Sequence, residues 1–172
     1  MKKIVFTALS LLFISHAHAQ TCNLQIISSA PNNRYEIVAS SAGSEILDKQ
    51  TKLIWQRCSI GQTWDGQTCI GTPTKLTWDQ ALIKANALKN GYRLPNIKEL
   101  QSLVEESCHE PAINEKIFPN TNSSRATAAY WTSSPVPDGN NVWVVDFTNG
   151  GTYFPDKTGL YANPVRAVRS SK

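Results

Sequence analysis

Cys22, Cys58, Cys69 and Cys108 are the residues with the widest chemical choice: thiols that can bridge, bind a metal or attack a carbonyl. Zinc needs clustered donors, usually C-x-x-C pairs or cysteine with histidine. The chain has no such pair, and His109 is its one histidine beyond the first nineteen residues. No metal and no cofactor are therefore expected. Cys108 beside His109 has the composition of an activated thiol, but sequence neighbours rarely face each other productively. Disulfides remain, and four cysteines allow three pairings. The stretch between Cys58 and Cys69 is rich in turn residues and has no helical or strand period. That compact loop favours Cys58–Cys69, which leaves Cys22–Cys108; a loop of this size is worth about 3 kcal/mol in the chain-entropy account.

Carboxylates and aromatics offer less. Glu105, Glu106 and Glu110 could work as paired acids, although a solvated helix end explains them more simply. Glu110-Pro111 is similar to the Glu-Pro-Asn signature of calcium-dependent sugar sites, but Ala112 stands where the carbonyl-bearing Asn belongs. Trp55, Trp78, Trp131 and Trp143 fall on apolar faces and are expected in the core. Trp64, inside the proposed disulfide loop, and Tyr153 and Tyr161, in late loops, are the aromatics expected to meet a ligand. Residues 20–115 carry nine basic and ten acidic side chains, residues 116–172 six and three. That asymmetry makes Arg125, Lys157, Arg166, Arg169 and Lys172 a candidate basic patch for a sulfated glycan or other anion. Strand alternation over 165–169 turns Arg166 outward and Arg169 toward the core, where a structural role suits it better.

The elements that must position these groups follow from hydrophobic period. Short alternating runs at 34–38, 44–48 and 51–57 read as strands. Thr77-Trp78-Asp79-Gln80 forms a capping box, and Trp78, Ala81, Leu82, Ala85 and Leu88 make the apolar stripe of a helix ending near Asn90-Gly91. Asn96, with Glu99 three residues on, caps a second helix predicted to run to about Ser107. Strands are predicted at 130–134, 142–147, 152–154 and 165–169, with Asn149-Gly150 as a hairpin turn in which both central residues take positive φ. Strands, two adjacent helices, then strands define an α+β fold with the helices packed on antiparallel sheet.

Met1-Lys2-Lys3, the apolar run from Ile4 to Ile14 and Ala17-His18-Ala19 have the form of a secretory signal peptide cleaved after Ala19. Its removal lowers the formal charge from +4 to +2, which excludes a general nucleic-acid binder, and five Trp exclude disorder. The mature chain has the length of one domain, and no other stretch has the apolar length of a membrane span. The expected location is secreted or periplasmic.

Several strings together resemble one family. Asp48 to Cys58 is similar to the opening "D-x-x-T-G-L-M-W-x-R-C" of the Lcl C-terminal domain, and Gly61-Gln62-Thr63-Trp64-Asp65-Gly66 to Cys69 to its "G-Q-T-W-D-G-x-x-C" loop. Arg93-Leu94-Pro95-Asn96-Ile97-Lys98-Glu99-Leu100 resembles its "W-R-L-P-N-x-x-E-L" hallmark. Tyr130 to Ser134, Val145-Asp146-Phe147 and Val165 to Arg169 complete the pattern over residues 44–169. Lys52 in place of Gly and Tyr92 in place of Trp depart from it. The resemblance divides the chain into signal peptide 1–19, N-terminal extension 20–43 and domain 44–172. It implies a C-type-lectin-like fold, with Trp55, Arg93, Pro95, Glu99, Trp131 and Trp143 as structural hallmarks and Arg93–Glu99 as a buried ion pair. Members at the ends of collagen-like adhesins bind sulfated glycosaminoglycans, and others accompany pilus or surface assemblies. The expectation is a non-enzymatic binding or adhesion module. A structural accessory of a pilus or envelope assembly is the first alternative, and an enzyme of the formylglycine-generating type, which needs reactive cysteines, the second.

Overall fold

The structure is a computed structural model that describes residues 20–124, 128–158 and 161–171. The signal-peptide segment, Arg125 and Lys172 lie outside the described residues. The elements in chain order are β1 (Thr21–Cys22), β2 (Tyr35–Ile37), β3 (Glu45–Asp48), β4 (Leu53–Gln56), β5 (Thr63–Trp64), β6 (Cys69–Ile70), α1 (Trp78–Asn86), α2 (Ile97–Gln101), β7 (Cys108–His109), β8 (Ala129–Pro135), β9 (Val142–Asp146), β10 (Gly151–Tyr153) and β11 (Val168–Ser170). Every strand pair is antiparallel. A four-stranded sheet runs β11-β4-β3-β2, a three-stranded sheet β10-β9-β8, and β1-β7 and β5-β6 form two-stranded ribbons. The fold is α+β.

Alternation explains which residues the sheets bury. Trp55 pairs with Ile46 and Val168 across the larger sheet, and all three enter one core with Leu100, Leu103, Phe118, Tyr130 and Val145. The other face of β8 and β9, carrying Trp131, Val142 and Val144, packs against Ala81 and Ala85 of α1 with Leu94. The three-stranded sheet is thus apolar on both faces, one toward each helix. Trp55 and Trp131 are fully buried. Trp78 and Trp143 are only half-buried, contrary to the expectation of core placement. Trp78 donates its indole N–H to the Thr132 carbonyl at 2.9 Å, and Trp143 packs edge-on against Phe154 at 5.1 Å.

Both helices start as their capping boxes dictate. Gln80 accepts from the Thr77 amide at 3.1 Å, and Asn96 and Glu99 exchange bonds at 2.9 and 2.8 Å. Both end earlier than predicted. The chain after Gln101 tightens into i→i−3 bonds at Leu103 and Val104, and Val104 then bridges Ile113. A continued helix would carry Glu105 outward, whereas the fold turns it in.

Two further expectations are corrected. At Asn149-Gly150 only Gly150 has positive φ, and the strands are joined by four residues, with Asp146 accepting from the Gly150 amide and its carboxylate from Thr148. A side chain at Gly150 would lie 2.6 Å from Val104, so close approach as well as φ requires glycine there. The last strand begins at Val168; residues 165–167 before it are buried, Ala167 accepting from the Gln56 amide and Val165 from the Ile60 amide. The N-terminal extension is built into the fold: β2 is a member of the larger sheet, and β1 pairs with β7.

Both expected disulfides form, Cys22–Cys108 and Cys58–Cys69, and no cysteine is free. The thiol that an activated Cys108 requires is therefore absent.

Candidate functional site

The basic patch expected after Lys116 does not assemble around Arg166. Its side chain is fully buried, and its guanidinium donates to the carbonyls of Gln56 and Arg57 and to Thr121 Oγ1. It also lies over the rings of Phe118 (4.9 Å) and Tyr130 (5.9 Å). Burial lowers its pKa, opposed by the Tyr130 hydroxyl nearby. Outward placement assumed a regular strand over 165–169, which the fold does not have. Arg166 is a structural residue. Arg169 pairs with Glu45 at 2.7 Å and lies over the Tyr92 ring, in keeping with the structural role expected of it. Lys157 is half-buried, its ammonium 5.6 Å from the Trp78 ring centroid.

Trp64 is half-buried under the Arg57 guanidinium, 3.9 Å from its ring centroid, and packs against Gly43. Tyr153, Phe154 and Tyr161 are about half exposed. Tyr153 ends the edge strand β10, and Phe154 follows it and packs edge-on against Trp143. Burial raises the Tyr153 hydroxyl pKa, and the proximity of Asp146 and Tyr161 adds to it. Of the expected ligand residues, Arg166 is buried, Trp64 packs under Arg57, and Tyr153 lies near Tyr161.

A broad groove lies elsewhere, and sequence reasoning missed it. A groove of about 920 Å³ runs between the end of the disulfide loop (Cys69–Pro73) and the segment 120–124, with Glu110 and Glu115 along it. Neither wall has a regular period, so no pattern in the sequence marks the groove; the clue available was the density of Asn, Thr and Ser at 120–124. Cross-wall bonds hold it open. Asn120 donates to Thr68 Oγ1 at 3.1 Å and to the Cys69 carbonyl at 2.7 Å, while Gln62 donates to the carbonyls of Gly71 and Asn120. The floor is fixed too, since Thr121 donates to the Phe118 carbonyl and accepts from Arg166. The lining is mostly amide and hydroxyl, with Ile70 exposed at the rim. Burial raises the pKa of Glu115. Among the described residues, no group of three His, Cys, Asp or Glu is placed to hold a metal ion.

None of the hallmark residues lines the groove. Arg93 grips Glu99 through two parallel bonds at 2.8 and 2.7 Å, and the same carboxylate caps α2. The pair is partly exposed, 39% for Arg93 and 16% for Glu99, where a buried pair was expected. Arg93 also exchanges backbone bonds with Val168, and the Pro95 carbonyl accepts from the Ser133 amide. These residues lock α2 to both sheets.

Comparison of the chain with known families matches residues 44–169 to the Lcl C-terminal domain. None of the curated proteins compared with the chain matches it.

Proposed function

The chain belongs to the Lcl C-terminal domain family, and on that premise we propose that it is an exported, non-catalytic binding or adhesion module that holds a hydroxyl-rich glycan in the groove between the disulfide loop and segment 120–124. Its architecture is read as C-type-lectin-like, because two short helices flank antiparallel sheets and the first and last long strands share one sheet. Two disulfides suit an oxidising compartment, and no helix among the described residues is long and apolar enough to cross a membrane.

One observation carries the reading: a large groove whose amide and hydroxyl walls are cross-bonded before any ligand arrives. Such walls offer donors and acceptors to sugar hydroxyls, and their pre-organisation spares the ordering entropy of binding. A sulfated ligand is less favoured, since Arg166 is buried and Arg169 is already paired. The test is a glycan array with the mature chain beside a Thr72→Trp variant that fills the groove. Binding by wild type and its loss in a folded variant support the reading; equal binding by both places the ligand elsewhere.

A second reading, a protein partner in a pilus or envelope assembly, draws on Leu24 and Ile27, which are 96% and 93% exposed next to the Cys22–Cys108 bridge. Its test is whether Leu24→Ser with Ile27→Ser abolishes surface assembly while glycan binding stays intact.

A further inference from the structure

We propose that the groove selects glycans bearing free amino groups, that is, deacetylated hexosamine chains, through the carboxylates of Glu110 and Glu115. The inference rests on the reading of the groove as a glycan cleft and adds the charge of its ligand.

Glu110 and Glu115 both line the groove, and no lysine or arginine does so among the described residues. Among the described residues Glu115 makes no ion pair or side-chain hydrogen bond, unlike Asp48, Glu99 and Glu105, each held by several donors. Burial without compensation raises its pKa, so the charged form gains from any cation that enters. Glu110 Oε2 lies 4.0 Å from His109 Nδ1. An ammonium group supplies three donors and a carboxylate only acceptors, so either glutamate can take an amino group. Sulfate brings the opposite charge, so the same field disfavours it. The remaining lining is suited to the rest of the sugar: Thr72 and Ser123 present hydroxyls, and Ile70 and Pro73 offer an apolar edge for a pyranose face.

The experiment compares a glucosamine tetramer, its fully N-acetylated counterpart and a heparin tetramer by calorimetry at about pH 6.5, below the range of an ordinary amino group. The full mature chain is used, with Glu115→Gln, Glu110→Gln and the double variant, and thermal melts confirm folding. The expected order is glucosamine tetramer first, the acetylated tetramer about tenfold weaker, and heparin weakest. Each single variant should weaken the amine ligand about three- to tenfold and leave the acetylated one unchanged. Equal affinity for the amine and acetylated tetramers would overturn the charge preference while leaving the groove reading intact. No binding of either would overturn both. If Glu115→Gln fails to fold, Glu110→Gln decides alone.

Discussion

The two disulfide-tied regions are anchored by charges of opposite sign. In the N-terminal extension, residues 20–43, the anchors are carboxylates. Glu105 accepts from the hydroxyls of Ser28 and Ser107 and from the amides of Ser29, Ala30 and Ser107, while Asp48 takes Arg34 in a bidentate pair. In the Cys58–Cys69 loop the anchors are guanidiniums. Arg57 donates to the carbonyls of Ile117 and Lys116 at 2.9 Å and covers Trp64, and Arg166 donates to the carbonyls of Gln56 and Arg57 behind it. A carboxylate can be discharged by acid; a guanidinium keeps its charge at every accessible pH. The extension should therefore respond to acid and the loop should not.

The largest effect is expected at Arg166. Replacing it with Ala empties a large buried site and strips donors from two carbonyls, at about 1–3 kcal/mol per unsatisfied group plus the cavity. A loss of at least about 5 kcal/mol in chemical denaturation is expected. Arg166→Lys should recover less than half of it, because a single ammonium cannot span Gln56, Arg57 and Thr121 as the fork does. A mild effect from Arg166→Ala would mean that the loop stands without its cation.

Breaking the bridges ranks next and separates the regions by loop length. Cys22–Cys108 closes 86 residues and Cys58–Cys69 closes 11. The chain-entropy account gives about 4–5 and about 3 kcal/mol respectively. Cysteine-to-alanine pairs measured by urea unfolding should keep that order. The reverse order would place more of the stability in the loop's local contacts.

Acid is the sharper test. Burial opposes the ionisation of Glu105, but the bonds from Ser107, Ser28 and the Ala30 amide outweigh it and bring the pKa to about 2. Burial likewise opposes Asp48, and Arg34, Thr51 and the Gln50 amide lower it. Folded-state values below the unfolded ones mean stability that is complete above about pH 5 and is lost as pH falls toward 2. Glu105 alone accounts for roughly 3 kcal/mol of that loss. Hydrogen exchange should reveal the extension opening in this window while residues 58–69 stay protected. Glu105→Gln should be less stable at neutral pH and flatter in its acid response.

These anchors also divide what the sequence disclosed from what it hid. The cysteine pairing, both capping boxes and Arg93–Glu99 depend on separations of a few residues or on a compact loop, and short range is where residue type and period carry information. Arg166 was misplaced because alternation between a core face and a solvent face fails where every side chain is covered, and 165–167, ahead of the last strand, are all buried. Glu105 looked like a solvated helix end for a related reason. Its partners Ser28 to Ala30 lie more than seventy residues away, and nothing local announces that α2 stops at Gln101 to deliver it. The groove is the extreme case. Its walls come from 69–73 and 120–124, and the bonds that set their spacing run from Gln62 and Asn120 across the gap.

The smallest expected effect isolates the loop's own contribution. Trp64 lies beneath Arg57 at 3.9 Å, and the absence of a side chain at Gly43 lets the indole approach that backbone. A half-desolvated guanidinium over an indole is worth about 1–2 kcal/mol. Trp64→Leu removes the π face and keeps much of the apolar volume, so the loss should stay within that range. Its pH dependence then discriminates. Neither the guanidinium nor the indole titrates between pH 7 and 3, so the difference between wild type and variant in urea unfolding should be the same at both values. Asp65, next in the chain, spends its carboxylate on the amides of Gln67 and Thr68 and makes no ion pair with Arg57. A Trp64→Leu penalty that vanished at pH 3 would mean that a carboxylate, and not the ring, holds Arg57 in place. The contrast between an acid-sensitive extension and an acid-resistant loop would then fail at its simplest point.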